Sequence, residues 1–428
     1  MGKQIVCLVL LWFVSTANAQ KSTLSMKHVD STTYSLYLKQ DWKSIIALGK
    51  QARFGGIDFY YLKVRMGIAY FKENKMFSAI QLLEEAYTMD SNNVVVQDYL
   101  YWAYRYSGLI MESRLFYSKM TDTQKDKIKL NLPFVSDVSF NILATYNLDY
   151  NEMLLTDANS EIGDFRFIRK NQQMFLLRMS HPLIKRINLF HEFTLIPTTS
   201  VQQENVGGVL ENKTYKGTEF RYYADVTVSL GNRWYLDSYL NIISGKYDNL
   251  NDANISSSSK ITYTDLVFGG SLTKASYFIR NSINVSVSDL NGFSQFQAGY
   301  SLSLYPLGST LVVPFGSLQY KNQDADSNMV FTGGLYVILN KILLTGFGTV
   351  GNMNNFTANK GAIIYNQPGT ALNEFGGSFK YLGENSILKV GYSFMKMEDN
   401  YYNDNFEITS KTFEFNQHSL TAGITWIF

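Results

Sequence analysis

The chain has 428 residues, a formal net charge of +2, 17% charged and 15% aromatic residues, including 30 Tyr and 29 Phe. So small a net charge argues against a polyanionic partner such as nucleic acid, and past the N-terminus no apolar run reaches the ~20 residues a spanning helix needs. Low charge and many aromatics at a mean hydropathy of −0.11 suit a chain whose apolar and polar residues alternate and cancel in the average.

Residues 1–19 read as a signal peptide: Lys3, an apolar run over 5–14, and Ala17-Asn18-Ala19 as the cleavage site. The one cysteine, Cys7, lies inside that run. The mature chain is therefore expected to carry neither disulfide nor thiolate metal site. Residues 20–31 are polar and are expected to be a linker.

From 32 to 130 the apolar spacing is helical. The clearest unit spans 61–92. Met66, Gly67 and Tyr70 mark one helix, Asn74-Lys75 a turn, and Ala79, Leu83 and Ala86 the next helix. This resembles the tetratricopeptide pattern, in which a small eighth residue lets two helices pack closely. One 34-residue period later stand Tyr101, Tyr104, Ser113, Tyr117 and Met120; one period earlier stand Leu36, Ile45 and Ala52. The resemblance implies about two to three repeats with an inner, concave face made by Tyr61, Val64, Ile68, Phe71, Asp98, Trp102, Arg105 and Tyr106. Aromatics beside an arginine suit partner-protein binding; packing against neighbouring helices or the barrel rim is the alternative.

Asn131-Leu-Pro-Phe134 ends the helical region, because Pro133 stops a helix. Period-2 alternation starts at Val138, Phe140, Ile142, Ala144 and Tyr146. About fourteen strands are predicted between 134 and 428, each long enough to cross a bilayer when tilted. Short turns alternate with long polar segments at 148–170, 198–217, 244–259, 352–370 and 398–411, as in outer-membrane barrels. The closing strand, Leu420 to Phe428, alternates to its end. It resembles the last strand of the bacterial outer-membrane β-barrel superfamily. That resemblance implies that Trp426 and Phe428 form the signal read by the barrel-assembly machinery. Trp234, Tyr305, Tyr381, Tyr392 and Trp426 near strand ends suit an interfacial girdle.

The fold expected is thus α+β multidomain: a short α-helical tetratricopeptide-repeat domain followed by an antiparallel transmembrane β-barrel. Alternation assigns Phe220, Tyr222, Ala224, Val226 and Val228 to lipid. It assigns Arg178, Glu192, Glu219, Arg221, Asp225, Asp237, Arg280, Glu374 and Lys380 to the lumen. Charges at that depth must be hydrated or paired, so the lumen is either a polar conduit or filled by its own ion pairs. Catalysis finds no support. Of four histidines, His191 adjoins Glu192 and His418 adjoins Ser419, and strand neighbours point to opposite faces. No enzyme activity, cofactor or metal site is expected.

Signal peptide, helical repeats and barrel in this order resemble the Slam-type surface-lipoprotein assembly modulators and the YaiO-type barrels, and in part the exopolysaccharide exporters. The resemblance implies an outer-membrane protein with a periplasmic N-terminal domain. That domain would bind a periplasmic or outer-membrane protein client or partner for export, insertion or assembly. A non-transporting scaffold with a plugged barrel, or a part in exopolysaccharide export, remain alternatives.

Overall fold

The computed structural model describes residues 24–130, 132–155, 161–248, 260–323, 326–403 and 407–428. The signal-peptide reading lies outside these. Two compact units divide between Tyr106 and Ser107.

The described part of the first unit is five helices: α1 (Met26–Leu38), α2 (Trp42–Phe54), α3 (Tyr60–Lys72), α4 (Met76–Met89) and α5 (Val94–Tyr106). α1 starts within the expected linker. Ser25 caps it, accepting the His28 N–H at 3.2 Å, and only Val29 and Thr33 are buried, too thin an apolar stripe to show as periodicity. The turn at Asn74-Lys75 stands where it was expected, with Asn74 left-handed at φ 57°. Ala79, Leu83 and Ala86 are fully buried. A Cβ on Gly67 would come 2.8 Å from Leu83 Cδ2, so α3 and α4 pack at a distance only glycine allows.

The second unit opens with α6 (Ile110–Tyr117) and α7 (Asp122–Ile128), so the compact units part well before the expected boundary near Pro133. Then come β1 (Asp137–Asn147), α8 (Tyr150–Leu155), β2 (Phe165–Ile184), β3 (Ile187–Val206), β4 (Val209–Gly231), β5 (Trp234–Asp248), β6 (Lys260–Ala275), β7 (Ile279–Ser288), β8 (Gln295–Leu304), β9 (Val312–Gln323), β10 (Asp326–Leu339) and β11 (Ile342–Val350). After a short hairpin, β12 (Phe356–Ala358) and β13 (Ile363–Tyr365), follow β14 (Thr370–Leu382), β15 (Ser386–Tyr402) and β16 (Ile408–Ile427).

All strands but β12 and β13 form one closed antiparallel barrel of fourteen, β16 returning to β1. The seam runs from Asp137↔Ile427 to Asn147↔Gln417, and the Phe428 N–H donates to Ser136 O at 3.0 Å. Closure leaves no unpaired edge. The outer face is an apolar belt, with Phe220 46%, Phe268 52%, Phe375 51% and Val390 56% exposed, as a bilayer-facing wall requires. Trp234, Tyr381 and Trp426 lie near strand ends at the short-turn rim. Tyr392 stands mid-strand, bonded to His418 Nδ1 at 2.7 Å. The chain folds into a closed antiparallel β-barrel of fourteen strands with an apolar outer wall.

The opposite rim differs from expectation. Residues 198–217 are not a loop: β3 and β4 stay paired to Val206↔Val209, around Gly207-Gly208. Likewise β15 and β16 run on to Tyr402↔Ile408. At about 3.3 Å per residue even a tilted strand of β4's length overshoots an apolar band roughly 25 Å tall. The overhang is polar on both faces: Glu204, Glu211 and Lys213 point to water, while Gln202 and Gln203 are buried, Gln203 accepting from Arg166 at 2.8 Å. The stretch therefore carries no apolar alternation to read.

Candidate functional site

The barrel's lumen is occupied. The segment between β11 and β14 enters from the long-loop end as the β12–β13 hairpin, paired Phe356↔Tyr365 to Ala358↔Ile363. Its root is apolar: Phe356 and Met353 pack with Ile168, Val330, Met397, Tyr401, Phe413 and Phe415, and with Met153 of α8. Ile364 packs separately against Ile243, Val267 and Leu290.

Its tip is polar and reaches deep. Asn359, Lys360 and Gly361 all have positive φ, which folds the tip back tightly. The Lys360 ammonium lies 2.8 Å from Asp237 and 3.9 Å from Asp225. Asn241 donates to Gly361 O at 2.8 Å. Higher up, Arg221 pairs with Glu219 and donates to Asn366 Oδ1 at 2.9 Å, while Asn366 Nδ2 donates back to Glu219 at 2.9 Å. Tyr263 also donates to Glu219, Tyr365 donates to Glu374 at 2.6 Å, and Lys321 donates to Asn354 O. Buried charges thus meet partners. Around the tip, Asp225 Oδ1 and Asn241 Oδ1 are buried without a hydrogen bond.

All nine lumen residues inferred by alternation point inward. Arg178 is paired with Glu192, which also accepts from Thr194 at 2.9 Å. Asp237 accepts from Thr227 and Ser271 besides Lys360. Arg280 lies over the Tyr235 ring at 5.8 Å, and Lys380 faces Lys389 across β14 and β15. Sequence reasoning missed the hairpin, because 352–370 reads as one more polar loop. It also missed the apolar upper lumen and Lys389. The turn over residues 383–385 centres a register that sets Lys389 opposite Lys380, a signal available in the sequence.

At the short-turn end, α6 packs into the mouth. Tyr235 donates to Glu112, Arg114 to Asn188 Oδ1 at 2.6 Å, and Lys185 to Ser118 Oγ at 2.9 Å. Burial raises the Glu112 carboxyl above its ordinary value, against the Tyr235 hydrogen bond that lowers it. The enzyme-like neighbours separate as expected. Glu192 turns inward to Arg178, while on the outer face His191 meets the Phe193 ring at a tilt and the Tyr222 ring edge-on. Ser419 turns inward to Thr145 at 2.7 Å and His418 outward to Tyr392.

In the helical unit, four of the eight inferred face residues meet. Phe71, Asp98, Trp102 and Tyr106, joined by Lys72 and Tyr99, line a groove of about 240 Å³. Trp102 stacks on Tyr106 at 5.7 Å, and Phe71 meets the Tyr99 edge at 5.1 Å. Val64 and Ile68 do not belong to this surface: at 9% and 1% exposure they are core. α3 is buried on most of its circumference, including Leu62, Met66 and Ala69, so its inner and core faces overlap. Tyr61 is exposed but taken up by Arg65, whose guanidinium lies 5.6 Å from its ring. Arg105 follows Tyr104 in the last turn of α5 and does not line the groove.

No family model matches the chain, and no curated protein matches it. Solved structures similar in fold include the TodX deltaS2S3 mutant monoaromatic hydrocarbon channel, with TM-score 0.45 and 6% identity over 69% of this chain and 91% of that one. A Pseudomonas aeruginosa FadL homologue has TM-score 0.44 and 8% identity over 69% and 90%. CdiB from Acinetobacter baumannii has TM-score 0.35 and 8% identity over 69% and 60%. At these values the likeness concerns the barrel fold alone.

Proposed function

We propose that the chain is an outer-membrane barrel whose helical unit, on the periplasmic side, docks a protein client or partner for export, insertion or assembly at that membrane. The aromatic groove between α3 and α5 carries this reading. Its Phe71, Trp102 and Tyr106 supply rigid apolar area beside the opposite charges of Lys72 and Asp98. Orientation follows from barrel convention: short turns face the periplasm, and both β1's start and β16's end lie at that rim. The role is non-enzymatic and calls for no cofactor. Barrel-assembly machinery reading Trp426 and Phe428 remains part of the proposal.

A second reading, the barrel as a plugged membrane scaffold, is favoured by the hairpin in the lumen. Purifying the tagged chain from outer membranes in mild detergent tests the first. Stoichiometric proteins should accompany the wild type and be lost from Trp102→Ala. Equal recovery with the variant would move the interface elsewhere. The same preparation in a planar bilayer separates transport from scaffold, since a permanently sealed lumen conducts nothing.

A further inference from the structure

Away from the hairpin, the inner wall carries a second polar feature that the occlusion does not use. Lys380 and Lys389 are directly opposed on β14 and β15. Their chain neighbours Phe379, Tyr381, Leu388 and Val390 are apolar and exposed at 40%, 43%, 50% and 56%, which fixes both lysines on the inner face. Like charges opposed across a ladder repel, and charges at bilayer depth demand water or a counter-ion. Among the described residues neither ammonium forms a salt bridge to a carboxylate; Glu374, an inward acid of the same strand, is engaged by Tyr365 instead.

A third cation, Arg178 on β2, lies within electrostatic reach of both lysines across the lumen. Arg178 gives its Nε to Glu192, while its terminal nitrogens make no further hydrogen bond, and its side chain is 36% exposed. Of the three cations only Arg178 has a carboxylate partner. The walls around them are small: Ser378 and Gly391, two rungs away, are the next pair on the inner face, and Gly423 stands beside Lys389. The arrangement is two ammonium groups and half a guanidinium fork with unfilled donors, apart from the hairpin's polar contacts with Asp237, Asn241 and Glu219.

We propose that Lys380, Lys389 and Arg178 form a binding site for a small oxyanion, a phosphate or carboxylate group, inside the barrel near its short-turn end. Charge-assisted hydrogen bonds from lysine and arginine suit both groups. The site is independent of the helical groove, and its success or failure leaves the docking reading untouched.

The test uses the full chain in detergent at fixed ionic strength. Inorganic phosphate is followed by ³¹P line broadening, and acetate is run as competitor against chloride. Wild type should broaden the phosphate line, with affinity falling roughly tenfold or more in K380Q/K389Q and retained in K380R/K389R. Displacement by acetate would assign a carboxylate-tolerant site, and resistance a phosphate-selective one; both support the proposal. No broadening by wild type, or equal broadening by K380Q/K389Q, would overturn it. The wild-type titration decides even where the glutamine variant folds poorly.

Discussion

The Lys360 ammonium, at the turn of the inner hairpin, sits 2.8 Å from Asp237, a β5 carboxylate only 2% exposed and three residues from the strand's short-turn end. A loop that begins at one rim is thus tied by an ion pair close to the other. Stripping one partner from a buried pair leaves a charge uncompensated. Thr227 and Ser271 still serve Asp237, and the lysine is partly solvated, so Lys360→Ala should cost about 1–2 kcal/mol. It should also raise bilayer conductance above wild type, with Lys360→Arg restoring the closed level. A sealed Lys360→Ala barrel would show that the apolar root alone holds the plug.

Gly361 gives a steric version of the same test. At φ 74° it occupies the left-handed region, and a Cβ would come 3.0 Å from Tyr239 Cε2. Gly361→Val adds about 1–2 kcal/mol of backbone strain to that contact and should lift the tip off the wall. Asn241, which bonds Gly361 O, is the reporter. An Asn241→Cys thiol should react faster with a water-soluble maleimide in the Gly361→Val background. Unchanged labelling would mean the tip has other holds.

Glu112 makes the docking of α6 sensitive to pH. Its folded-state pKa is raised by burial, so the docked form binds more protons than the undocked one. Stability then falls as pH rises from the ordinary glutamate value through the raised one. Protection of the α6 amides, taken relative to their intrinsic base-catalysed exchange rates, should be lower at pH 7 than near pH 4.5. Glu112→Gln should flatten that dependence and raise protection at neutral pH, while keeping a partner for Tyr235. A wild-type protection factor independent of pH would contradict the burial argument.

In the helical unit the contact of Gly67 with Leu83 sets the α3–α4 spacing. Gly67→Val places two methyls where one Cβ already meets Leu83 at 2.8 Å. Overpacking of this kind costs about 1–3 kcal/mol. Circular dichroism at the helical wavelength should show an earlier helical transition, with the barrel's own transition unmoved. Coincident shifts would mean the two units unfold together.

The barrel seam gives the last expectation. Deleting Trp426, Ile427 and Phe428 removes the rungs Val138↔Trp426 and Asp137↔Ile427 and the Phe428–Ser136 hydrogen bond. Because closure is what satisfies edge groups in lipid, the truncated chain should lose heat-modifiable migration on gels, the signature of a closed barrel. Full retention would show the remaining rungs from Ser139 upward suffice.

The sequence by itself determined what depends on local period and local turns. Alternation through Phe220–Val228 and Leu420–Phe428 named both faces of the wall, because a strand's side chains have no choice but to alternate. Helical spacing with Gly67 and Ala79 placed the α3–α4 hairpin, because a close helix contact demands small residues. What only tertiary structure decided lies where one segment meets another of distant sequence. The β12–β13 hairpin carries too few residues to show a period, and its contacts with Asp237, Glu219 and Glu374 are long-range. The β3–β4 overhang lost alternation on leaving the apolar layer, so it read as loop. Val64 and Ile68 fell on the inner face by spacing and in the core by packing, because a helix with neighbours on several sides has more than one buried stripe. Whether the lumen stood empty or filled could not follow from the strands' periodicity, since an inward charge reads the same whether its partner is water or Lys360.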